Sequence, residues 1–245
     1  MVATLAQQPV GSLVRERQSR ANVFERFGID YCCHGHAPLE EACSSADIPL
    51  EDVCSALDAS DASTHAHDDT DWSQMSLMRL IDDIVKRHHA YLRERLPLLA
   101  RMIDRVVAAH GDRHSELQAV REVFTTLQNE LTSHMMKEER VLFPIIIELE
   151  RAAAGGRPAP QFHCGSVTYP IAVMEHEHDD AGEALNAMRR LTDDFHAPDD
   201  ACETYRALMT GLRNLESDLH LHIHKENNVL FPRAAELEAA VAYAN

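Results

Sequence analysis

Two stretches of this chain, residues 133–144 (SHMMKEERVLFP) and residues 221–232 (LHIHKENNVLFP), share a His-x-x-x-Glu pair followed by Val-Leu-Phe-Pro. Both lie in segments whose apolar residues recur at helical spacing. Residues four apart on a helix are stacked neighbours, with Cβ atoms about 5–6 Å apart. His134 and Glu138, and again His222 and Glu226, therefore share one face, and it is the apolar face. A buried ionised carboxylate without a partner costs several kcal/mol. Any fold this chain adopts must bury two such pairs and supply something that compensates them.

The rest of the pattern narrows the fold to an all-α one. Glycine and proline are scarce, with 9 and 10 in 245 residues, and strand-type alternation is absent. From Trp72 onward the periodicity predicts four long helices, over about residues 76–109, 115–151, 171–195 and 198–239. Pro97, Pro144 and Pro232 should kink or end them locally. Four comparable helices with short connections predict an up-down-up-down four-helix bundle.

Each helix carries an apolar stripe. In the first it is Ile81, Val85, His89, Leu92, Leu96, Leu99 and Ile103. In the second it is Val120, Phe124, Leu127, Leu131, His134, Glu138, Leu142, Ile145 and Leu149. The third has Ile171, Met174, His178, Ala181, Leu185, Met188 and Phe195. The fourth has Tyr205, Leu208, Leu212, Leu215, Leu219, His222, Glu226 and Val229. His176, His220 and His224 fall off the stripes. His88 and His89 both fit, and the repeat decides between them: His89, Glu94 and Leu96 match His178, Glu183 and Leu185 at identical offsets. His89 and His134 are 45 residues apart, His178 and His222 are 44 apart. The bundle reads as a duplicated helix pair.

Four imidazoles and two carboxylates then meet inside the bundle: His89, His134, Glu138, His178, His222 and Glu226. Imidazole and carboxylate suit iron, manganese or zinc, and the stripes hold no thiolate. Six ligands are too many for one four-coordinate ion. They suit two ions bridged by Glu138 and Glu226, with the histidines as terminal ligands. Glu130, one turn before His134, and Glu177, just before His178, are candidates for supporting the ligands or lining an iron path; a solvated charge is the more frequent role for such residues.

Ahead of the bundle, residues 1–57 predict a small helical domain interrupted by GIDYCCHGHAP. Residues 58–71 (DASDASTHAHDDTD, with His65 and His67) read as a flexible acidic linker, and residues 72–245 form the bundle. A formal net charge of −17 argues against a nucleic-acid partner. No apolar run approaches the roughly 20 residues of a membrane span, and the N-terminus lacks a secretory h-region. Six cysteines in this length are no disulfide framework, which points to a reducing, cytoplasmic compartment. Cys43, Cys54 and Cys202 read as packing residues. His163 and Cys164 sit in a Gly- and Pro-rich loop before the third helix.

The stretches SHMMKEERVLFP, VMEHEHDDAGEAL and HIHKENNVLFP resemble the hemerythrin-like di-iron proteins of the Ric (repair of iron centres) family, and FGIDYCCHGH resembles that family's ScdA-type N-terminal domain. The resemblance covers nearly the whole chain. It implies a non-haem di-iron centre, oxo- and carboxylate-bridged, on the same six ligands. It implies repair of iron–sulfur clusters damaged by nitric oxide or oxidative stress, through iron donation or nitric oxide removal, with damaged iron–sulfur proteins and the gases NO or O2 as partners. Cys32 and Cys33 would serve redox or transfer. Reduction of nitric oxide at the same centre, and an O2- or NO-binding carrier or sensor, are the alternatives. A homodimer is compatible with the sequence.

Overall fold

A computed structural model describes residues 5–63, 72–156 and 162–243. Among them there is no β-strand, only one antiparallel bridge between Pro9 and Pro38. The chain is all-α, as its periodicity predicts.

The N-terminal unit consists of α1 (Val10–Glu16), α2 (Arg20–Phe27), α3 (Leu39–Ser45) and α4 (Leu50–Ser63). Gly28 ends α2 in the left-handed region, at φ 63°, where a residue without Cβ is unstrained. The chain then enters the turn that holds Cys32 and Cys33. Helix α4 continues through Ser63, into the stretch read as a linker. Asp61 is the reason: its carboxylate accepts from Arg20 Nη2 at 2.8 Å and pairs with Arg17 at 3.7 Å. Residues 64–71, with His65 and His67, lie outside the described residues.

The first bundle helix is α5 (Leu77–Ile84), a π-turn (Val85–His89) and α6 (Ala90–His110). Ser76 caps it, accepting from the backbone N–H of Arg79 at 3.2 Å. The second is α7 (Glu116–Lys137), a π-turn (Glu138–Leu142) and α8 (Phe143–Ala154). The third, α9 (Thr168–Leu191), has no π-turn. The fourth is α10 (Glu203–Lys225), a π-turn (Glu226–Leu230) and α11 (Phe231–Tyr243). The second helix packs on the first and third, and the fourth on the first. The fourth helix starts at Glu203, after Pro198, because residues 199–202 turn before the helix begins.

The π-turns correct the expected stripes. Each adds a residue to one turn and rotates the remainder of its helix. After Glu138 the buried side is Leu142, Phe143, Ile146 and Leu149, with Ile145 only half-buried. Ahead of His89, Ile84 is buried and Val85 half-buried. Pro144 and Pro232 stand just after two of the π-turns, where the four-residue hydrogen-bond spacing they would interrupt has already lapsed. Pro97 is carried inside α6.

Two apolar cores fill the bundle. One contains Leu92, Leu131, Ala181 and Leu219; the other contains Ile84, Leu142, Met174 and Val229. In sequence, the candidate ligands fall between these two sets on every helix. A third core, within the N-terminal unit, takes in Ile223 from α10, so the small unit is seated on the fourth helix.

Candidate metal centre

The six residues on the stripes come together. His89, Glu138, His222 and Glu226 form one set of converging ligand atoms, and His134, Glu138, His178 and Glu226 form a second. Both carboxylates belong to both sets. All six side chains are buried, Glu138 and Glu226 at 0% exposure. The Nε2 atoms of His89 and His222 face each other at 3.2 Å, those of His134 and His178 at 3.1 Å. Glu138 Oε2 lies 3.2 Å from His89 Nε2 and 3.4 Å from His134 Nε2. Glu226 lies 3.1 Å from both His178 Nε2 and His222 Nε2. Both oxygens of Glu138 and Oε2 of Glu226 lack a well-aligned hydrogen-bond partner, an arrangement that is costly for an empty pocket and suited to cations. The donor set fits two cations that share both carboxylates.

The far side of each ring sets its tautomer. His89 Nδ1–H donates to Glu139 Oε1 at 2.6 Å, His134 Nδ1–H to Glu177 Oε2 at 2.9 Å, and His178 Nδ1–H to Asn227 Oδ1 at 2.7 Å. Each bond keeps a proton on Nδ1 and turns Nε2 into the layer, where it could face a metal. Lys137 in turn pairs with Glu177. Phe143 stacks on His89 and Phe231 on His178, with centroids 5.8 Å and 6.0 Å apart; the Val-Leu-Phe-Pro tail thus places one ring in each half of the repeat. His222 is the exception: its Nδ1 is buried without a partner. The residue that matches Glu177 in the repeat is His88, which stacks on His222 at 5.3 Å and turns its own nitrogens to Asp218 at 2.9 Å and Lys225 at 2.9 Å.

These neighbours shift the ligands in opposite directions. Burial disfavours a charged His178, but Glu226 and Glu138 outweigh it and hold the ring at about 9. Burial drives His222 down to about 3 against the pull of Glu226. Burial and the charge of Glu226 push Glu138 up. Glu226 is held well below the usual range, burial notwithstanding, by His222 and His178.

The N-terminal unit brings its cysteine turn onto this centre. Cys33 Sγ lies 3.6 Å from the backbone oxygen of His178. Asn228, in the last π-turn, donates from Nδ2 to the carbonyls of Cys32 at 2.9 Å and Tyr31 at 3.4 Å. A Cβ on Gly11 or Gly35 would come within 2.4 Å or 2.3 Å of Asn228 Oδ1, so both positions must be glycine for this close approach. His220 donates to Glu25 at 2.7 Å, and His224 to the Tyr31 carbonyl at 3.3 Å.

A family model for the hemerythrin HHE cation-binding domain matches residues 80–234, and one for ScdA_N, a domain of unknown function, matches residues 6–61. The chain is similar to proteins named iron-sulfur cluster repair protein YtfE. That of Dickeya chrysanthemi is 40% identical over 227 residues, spanning 93% of this chain and 96% of the relative. That of an Enterobacter species is 39% identical, over 93% and 96%, and that of Edwardsiella ictaluri 38% identical, over 94% and 98%. The chain belongs to the hemerythrin-like Ric family.

Within this Ric-family chain, the structure gathers His89, His134, Glu138, His178, His222 and Glu226 into one layer and sets Glu177 directly behind His134. Glu130 is exposed and does not join them. Cys43 and Cys54 are core residues of the N-terminal unit, whereas Cys202 is exposed ahead of α10 rather than packed. His163 is exposed and Cys164 half-buried. Periodicity missed Glu139, Asn227, His224 and Lys225, and the repeat set aside His88, which periodicity allowed. Glu139 and Asn227 follow the carboxylates in KEER and KENN, and that shared offset was the available signal. His88 is buried beside the layer, and His224 and Lys225 are buried although they stand off the inward stripe. Trp72 and Tyr31 cover His224, and Trp72 also covers Lys225, which no helical period announces. No described helix is long and apolar enough to cross a membrane.

Proposed function

We propose that this chain holds two iron ions on His89, His134, Glu138, His178, His222 and Glu226 and repairs iron–sulfur clusters damaged by nitric oxide or oxidative stress. The observation that carries this reading is the closed layer of four imidazoles and two shared, wholly buried carboxylates, three of whose four oxygens lack a hydrogen-bond partner. The names of the relatives support the repair role. When bound, the ions supply redox chemistry and positions for a small gas such as NO or O2. The chain's own part is to fix the ring tautomers through Glu139, Glu177 and Asn227 and to keep the layer dry between two apolar cores.

Cys32 and Cys33 serve as the transfer or redox point between the centre and a damaged iron–sulfur protein. The Cys33 contact with His178 supports this, and so does the exposure of Cys33 relative to buried Cys32. Six free thiols support the reducing cytoplasm as the compartment.

The test is reactivation of an enzyme whose cluster has been damaged by nitric oxide. Iron-loaded protein should restore its activity and His134→Ala should not. Equal restoration by the two proteins, or none by either, sinks the repair reading. Metal analysis with Mössbauer spectroscopy of anaerobically purified protein checks the cofactor: a coupled iron pair is expected, and a single zinc would overturn it.

A further inference from the structure

We propose that Asp30, Cys32 and Cys33 form a third metal site, for a single thiophilic divalent cation such as ferrous iron or zinc, at the surface above the buried centre. The proposal rests on the transfer role given to the cysteine pair and names the ligands that would perform it.

The spacing is that of a site already assembled. One ligand atom from each of the three residues lies within 4.8 Å of the others. The two Sγ atoms are 3.9 Å apart, and Cys32 Sγ is 3.2 Å from Asp30 Oδ1. On a tetrahedral ion with metal–sulfur bonds of about 2.3 Å, two thiolates stand roughly 3.8 Å apart and a carboxylate oxygen roughly 3.5 Å from each. The sulfur–sulfur and Cys32–Asp30 separations match those values to within a few tenths of an ångström, and the third lies within 4.8 Å. His34 stands ready beside it, its Nδ1 2.6 Å from Asp30 Oδ2. It can orient the carboxylate or swing in as a fourth ligand.

The turn is also held in place. The backbone N–H groups of Cys32 and Cys33 donate to Asp30 Oδ1 at 2.9 Å and 3.0 Å. Asn228 fixes the Cys32 carbonyl from the bundle side. Vicinal cysteines free to rotate would gain nothing from this clamping; a chelating pair gains preorganisation.

A divalent cation would draw the protons off both thiols. On binding, two S–H bonds break, two metal–sulfur bonds form and two protons leave to solvent, with no change of oxidation state. Cys33 touches the His178 carbonyl at 3.6 Å, so the ion would sit one helix backbone away from a ligand of the buried centre.

The test uses the full chain with its buried centre loaded with iron, titrated anaerobically with cobalt(II). A single cobalt per chain should bind with the intense near-ultraviolet absorption of thiolate-to-cobalt charge transfer. Cys32→Ser and Cys33→Ser should each weaken or remove that band, and the double variant should abolish it; all three should keep their iron. Asp30→Asn should weaken cobalt binding by about 10-fold or more. No charge-transfer band in the wild-type chain, or one that persists in the double serine variant, overturns the proposal. Cobalt in the buried centre would show only nitrogen and oxygen ligation. A chain that took no iron but still gave the thiolate band would therefore sink the repair reading while leaving this one standing.

Discussion

Three of the four ligand imidazoles are steadied from behind by a side chain adjacent in sequence to another ligand: Glu139 after Glu138, Glu177 before His178, Asn227 after Glu226. Removing such a support typically costs 10–100-fold in metal affinity. Glu139→Ala and Asn227→Ala should each weaken iron retention by about that factor in competition with a chelator, while helical content by circular dichroism stays unchanged. The same layer sets a pH window for the stability of the metal-free protein. His178 is held up at about 9, so its contribution is complete below the ordinary value of 6.5 and is lost as pH rises through about 9. His222 is held down at about 3 and His224 at about 4, from an ordinary 6.5. Both must stay neutral in the fold, so stability falls as pH drops below about 6.5. Urea midpoints of metal-free protein should therefore peak near pH 6.5 and fall on both sides of it. A profile flat from pH 5 to about 10 would contradict the assignment. That these six side chains would converge was legible in the sequence, because a histidine or glutamate on an apolar stripe must point into the bundle. Their supports were not, because Glu139 and Asn227 look like ordinary surface polar residues until the neighbouring helix is in place.

At the scale of elements, the three π-turns and the Asn228 clasp do what an ideal helix could not. A π-turn begins at Glu138 and at Glu226 and ends at His89, so the ligands sit where the helices depart from regular spacing. Periodicity located the four helices to within about five residues and mistook the phase at Val85 and Ile145, where Ile84 and Ile146 are buried instead. The clasp was illegible: nothing in the sequence ties Gly11 and Gly35 to an asparagine some two hundred residues later. Gly11→Ala should force a clash with Asn228 Oδ1 at 2.4 Å and cost on the order of 1–3 kcal/mol. The measurement is a double-mutant cycle. In an Asn228→Ala background the same substitution should cost markedly less, and additive losses would show that the two residues do not meet. Cys33 alkylation should also quicken in Gly11→Ala as the turn lifts from His178.

Over the whole molecule, a polar layer divides two apolar cores; His178 and His222 pair with Glu226, while both oxygens of Glu138 lack a hydrogen-bond partner, a lack that bound cations would make good. Ligand held by the folded state alone stabilises by about 4 kcal/mol at a thousandfold excess over its Kd, or on the order of 10 °C in Tm for a chain of this size. Stripping the metal with a chelator should lower Tm by about that much, and readdition of ferrous iron should restore it. An unchanged Tm would mean the layer is satisfied without metal. The sequence predicts that the N-terminal helices end at residue 57, whereas α4 runs on to Ser63 inside the expected linker. That Ile223 joins the small unit's core was not legible, because the contact joins two segments about two hundred residues apart. The duplication of the helix pair has a last consequence, best put as one of symmetry. Two identical halves would create two identical metal positions, with one affinity and one potential between them. This chain departs from that twofold relation in three places: the third helix lacks a π-turn, His88 stands where its counterpart is Glu177, and the N-terminal unit is seated on the fourth helix. A symmetric cradle could not treat two bound ions differently; this one would have the means to.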